Sequence, residues 1–149
     1  MDSRNHRPTG VAIIAVVNAV GAVLTFAFWL LGGIRLFGKA QEAAALPPAW
    51  TAATLGLLVG DVVWALPLLA LSVPGLWRLR PWGWTLAQMV NALWAYALTI
   101  VWVRDLYAGR VSPGAVLFTP FAIVAIWAAV YLWKARAAFW SQGDAAGRK

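Results

Sequence analysis

Asp61 is the one carboxylate that falls inside an apolar run of this chain, in LGLLVGDVVWALPLL. A charged group in hydrocarbon is costly, so an embedded acid marks a place where a proton, a cation or a polar partner is handled. Three roles are open to it: a buried structural hydrogen bond, proton or cation handling, or a contact with another subunit. No Lys or Arg falls at its depth. The partners available within the chain are therefore neutral and polar: Asn18, Gln88, Asn91 or Tyr96.

Asn18 and Asn91 are the next candidates. Each lies mid-way along an apolar run, and an amide in hydrocarbon needs a hydrogen-bond partner. The two fall at equal depth, so the simplest expectation is that they bond to each other. Interhelical bonds of this kind are worth about 0.6–2 kcal/mol each. A substrate contact is the alternative. The polar cluster expected in the membrane is thus Asp61, Asn18, Asn91 and Gln88.

Much chemistry is excluded. The chain has no cysteine and a single histidine, His6, in its N-terminal tail. Thiolate catalysis, Ser/His/acid sets, haem ligation and the usual zinc sites lack their side chains. The remaining acids, Asp2, Glu42, Asp105 and Asp144, read as tail or loop residues, so no paired carboxylates serve acid–base catalysis. No enzyme activity, no cofactor and no metal site is expected.

The elements that must position these residues follow from composition. Of 149 residues 62% are hydrophobic and only 11% charged, against about 25% charged in soluble domains. Four runs approach the roughly 20 residues that cross about 30 Å of hydrocarbon. The reading is an all-α polytopic membrane protein, a single domain over 1–149. Its spans lie at about 11–31, 50–73, 82–103 and 114–133. The first run exceeds a signal-peptide core and is kept as a structural helix. Residues 34–45 form either a surface helix or a frayed continuation of the first span. Pro67 predicts a kink, and Gly56-x-x-x-Gly60 offers a face where another helix can come close. The tail 138–149 reads as flexible.

The net charge of +7 belongs to residues flanking the spans. They anchor to headgroups, so nucleic acid is not an expected partner. Lys and Arg number eight on the side of the termini and the second loop, and four on the other side. This places both termini in the cytoplasm. Trp29, Trp50 and Trp102 fall at the outer boundary, Trp82 and Trp133 at the inner one, as interface anchors. Trp64, Trp94 and Trp127 lie deeper and are expected to fill space between helices. Nine arginines against three lysines, with many alanines, point to a bacterial cytoplasmic membrane.

Residues 7–29 and 80–102 align with an offset of 73, matching Arg, Pro, Gly, Val, Asn, Ala, Ala and Trp. Eight identities exceed the roughly two that such a composition gives by chance. The reading is two tandem helical hairpins, about 7–73 and 80–137, related as a parallel repeat. Functionally, the expectation is a non-enzymatic accessory or assembly unit. It would act with the lipid bilayer, as a homo-oligomer or with a larger membrane-protein partner. The alternative is a small oligomeric transporter or channel using Asp61.

Overall fold

A computed structural model describes residues 7–38 and 48–140, and every described element is helical. Helix α1 covers Thr9–Gly38. The second span is α2 (Pro48–Gly60), a π-helical turn (Asp61–Ala65) and α3 (Leu66–Trp77). The third is α4 (Pro81–Tyr107), the fourth α5 (Pro113–Lys134), and a short α6 (Ala137–Trp140) follows. Four of these helical stretches are long and apolar enough to cross a membrane.

Prolines set the starts. Pro81 and Pro113 occupy first-turn positions, where the missing N–H has no helical partner to lose. Ser112 caps α5, its Oγ accepting from Ala115 N at 3.3 Å. The end of α3 is closed by a 6→1 bond from Arg80 N to Gly75 O and one from Leu79 N to Leu76 O, at 2.9 and 3.1 Å. The reversing residue is Leu79, at φ 51°. That conformation is unfavourable for a side chain by about 1–2 kcal/mol, and Leu79 is held in it by burial against Val11, Leu76 and Phe139. The same closure ends α4, with Gly109 at φ 62° as the reversing residue.

The helices pack in a ring. α1 packs on α3, α3 on α4, and α4 on α5, while α1 meets α5 along a lesser face. α1 and α4, the aligned helices, are not among the pairs that share an extended face. In lipid, apolar burial does not drive this association, so close approach must come from small residues. Ala115, Ala122, Ala125 and Ala128 are the buried positions of α5 together with Leu132. Gly75 and Gly83 meet backbone to backbone, and a Cβ on either would collide with the backbone of the other helix. Gly56 and Gly60 have open space where their Cβ atoms would be, so the spacing marked in the sequence serves no contact within the chain.

The tightest core lies at the end holding both described termini, built from Val11, Ile14, Leu76, Ala87, Leu132 and Phe139. Phe139 is fully buried, on the short helix α6 that covers the first residues of the 138–149 tail. At this end Arg7 Nε donates to Trp77 O at 3.0 Å. The opposite end is open, because α2 shares no extended face with α1, α4 or α5. α1 runs through Gly32-Gly33 to Gly38, so continuation holds for residues 34–38. The remainder of 34–45, and the tail from 141, lie outside the described residues.

Candidate functional site

Pro67 cannot donate to Val63, and a π turn, Asp61–Ala65, lies immediately before it in the second span. Leu66 N–H bonds back to Asp61 O, five residues earlier. This irregular turn sets Asp61 at the junction of the packed and open halves. Asp61 Oδ2 accepts a hydrogen bond from Trp29 Nε1 at 2.7 Å.

Above Asp61 the four spans diverge around a cleft of about 530 Å³. That size lies within the roughly 300–1,000 Å³ of small-molecule sites. Its walls are mainly apolar, from Leu57, Leu58, Leu98 and Val101, and aromatic, from Phe28, Trp29, Trp50, Trp94 and Phe118. The rings brace one another: Phe28 meets Phe118 edge-on at 5.1 Å, and Trp94 lies 5.2 Å from Phe118.

Polar groups gather at the mouth. Arg104 bonds to Asp105 Oδ1 through Nε and Nη2 at 3.0 and 2.7 Å. It also donates to Thr54 at 3.0 Å and to Ser112 Oγ at 2.9 Å. Asp105 Oδ2 accepts Ser112 N at 2.6 Å. Asp105 is 1% exposed, the most deeply buried charged side chain described. Each guanidinium nitrogen of Arg104 has an acceptor, as a buried ion pair needs to be tolerated. Trp50 lies under Arg104 and Arg110, whose guanidinium carbons are 4.7 and 4.3 Å from its ring. Its Nε1 is buried without a partner.

The expected cluster is therefore divided. Asn18 and Asn91 are not bonded to each other: Asn18 Nδ2 donates to Ser72 Oγ at 2.8 Å, and the Ser72 hydroxyl in turn donates to Leu69 O at 2.8 Å. The physical reason is the ring order, which puts α3 with its Ser72 beside α1. Asn91 Nδ2 is buried and unpartnered, next to a void of about 10 Å³ that Asn18 also lines. Gln88 Nε2 donates to Ala129 O at 3.1 Å. None of the four neutral partners anticipated for Asp61 meets it; Tyr96 faces outward.

The tryptophans divide as well. Trp29 reaches inward to Asp61, and Trp102 Nε1 donates to Thr119 Oγ1 at 3.0 Å. Trp50 anchors the mouth cluster, while Trp82 and Trp133 are exposed at the termini end. Of the deeper three, Trp94 fills space. Trp64 is 63% exposed and faces outward, and Trp127 is exposed beside Tyr131. Among the described residues no three His, Cys, Asp or Glu side chains cluster for a metal.

Fold and site together define a small helical protein with four membrane-length helices and a carboxylate, Asp61, lining an open cleft. No protein-family model, curated protein or solved structure matches the chain.

Proposed function

We propose that the chain is a non-enzymatic membrane protein that handles a proton or a cation at Asp61, as a small oligomeric transporter or channel. The observation that carries this reading is the position of Asp61. It lines an open cleft instead of sitting between packed helices, and among the described residues Trp29 is its one bonded neighbour. An acid held only for packing needs no cleft. The Lys and Arg count supports cytoplasmic termini in a bacterial cytoplasmic membrane, so that the cleft opens outward.

A second reading is an accessory or assembly unit in which a partner helix closes the bundle. The bare side of α2, with Gly56 and Gly60 uncovered, favours it. The same face supplies an oligomer contact under the first reading. A common origin for the two hairpins is supported by Trp29 and Trp102, since each aligned indole donates to a polar side chain on the next span. Gly10 and Gly83, also aligned, both sit where a Cβ would clash.

Reconstituted vesicles carrying an internal pH dye test the first reading. Wild-type protein should support proton or cation-coupled proton flux that Asp61→Asn abolishes. Absence of flux in wild type, with a stoichiometric membrane-protein partner co-purifying in mild detergent, would establish the accessory reading instead.

A further inference from the structure

The geometry points to a lipophilic organic cation, an amine or onium centre carried on an apolar body, as the occupant of the cleft above Asp61. This deepens the proposed handling of a cation at Asp61 and rests on it. Three features converge. The cleft wall carries one carboxylate, Asp61, and no described cationic side chain pairs with it: among the described residues the ion pair is Arg104 with Asp105, at the mouth. A carboxyl group in a low-dielectric pocket, with no cation of the described protein beside it, ionises most readily against a positive ligand, so the site favours such a ligand over a neutral or anionic one.

The walls give the second feature. Phe28, Trp29, Trp94 and Phe118 present rings to the same space, and ring faces attract cations, most strongly when desolvated. A small hydrated metal ion gains little from such walls and would leave most of about 530 Å³ unfilled. An organic cation fills the volume and uses both ring faces and carboxylate.

The third feature is the state of the mouth. Arg104 would repel a cation were it free, but it is neutralised by Asp105 and its donors are spent on Thr54 and Ser112. Arg110 lies over Trp50 and is not part of the cleft wall. Asp61 is therefore the cleft-lining acid left for a cation to pair with.

The test uses the full chain in lipid nanodiscs and equilibrium dialysis of radiolabelled tetraphenylphosphonium, with tetraphenylborate as an anion of like shape. Saturable phosphonium binding is expected. Asp61→Asn should weaken it at least about tenfold, the loss expected for one ionic contact of 1.4 kcal/mol. Asp61→Glu should retain it, and tetraphenylborate should bind at least about tenfold more weakly. Leu98→Trp, which fills the cleft and leaves the carboxylate in place, should also abolish binding; it keeps the test decisive should Asp61→Asn fail to fold. Equal binding of both ions, or phosphonium binding unaffected by Leu98→Trp, would overturn the inference. No phosphonium binding alongside Asp61-dependent proton flux would overturn the ligand class while leaving the function proposed for Asp61 intact. Loss of both would remove that function as well.

Discussion

Trp29 on the first span donates its indole N–H to the Asp61 carboxylate on the second, at 2.7 Å. The bond ties the unpacked part of the second span to α1 just where the bundle opens. Hydrogen bonds to charged groups contribute about 1.5–3 kcal/mol. A double-mutant cycle of Trp29→Phe and Asp61→Leu, which removes the acceptor, read by thermal unfolding in detergent, should show a coupling of at least about 1 kcal/mol. Additive effects within about 0.5 kcal/mol would mean that the two side chains do not act as a pair.

The two asparagines should respond oppositely. Asn18 Nδ2 donates to Ser72 Oγ, so Asn18→Leu leaves that buried oxygen without its donor and lowers the thermal midpoint. Asn91 has a buried, unpartnered amide. Its replacement by leucine, of similar size, removes a desolvated donor worth about 1–3 kcal/mol, so Asn91→Leu should be neutral or stabilising. A matching loss in both variants would point to the direct Asn–Asn bond that the structure lacks.

The glycines divide in the same way. Gly83→Ala should cost more than about 2 kcal/mol, because its Cβ would enter the backbone of Gly75. Gly56→Ala and Gly60→Ala meet open space and should be neutral or gain up to about 1 kcal/mol of helix propensity in the monomer. If they instead shift the sedimentation mass, the α2 face is the oligomer contact.

Asp105→Ala should be the most damaging change at the mouth. It leaves Arg104 and the Ser112 amide without their shared acceptor, and breaking a buried pair costs about 3–5 kcal/mol. Circular dichroism melts would register this as a large fall in midpoint. A change under about 1 kcal/mol would show the cluster to be solvated.

The four spans were legible in sequence because hydrocarbon thickness and apolar run length are directly coupled. Asp61 was legible for the same reason: a lone acid stands out in LGLLVGDVVWALPLL. Its partner was not. Trp29 reads as a boundary anchor, and nothing in local spacing shows that its long side chain turns inward. The π turn shifts the register of the second span, so periodicity at 3.6 residues cannot say which face Asp61 takes. The Asn18–Asn91 expectation assumed that aligned helices touch. In the ring they are separated by α3, and Ser72, a residue without any sequence signal, takes the bond. Arg104 and Asp105 read as loop charges because a buried pair at a helix end depends on Ser112 folding back over it.

Single-cysteine reactivity tests the open cleft most directly, since the chain has no cysteine of its own. Leu58 lines the cleft near Asp61, Val63 faces outward and Ser72 is buried. With a water-soluble maleimide on protein in nanodiscs, Leu58→Cys should react at least about tenfold faster than Val63→Cys and Ser72→Cys, because the thiolate forms only where water enters. Equal, slow reaction at all three positions would mean that Asp61 is sealed within the bundle, and the account of a cleft reaching it would be wrong.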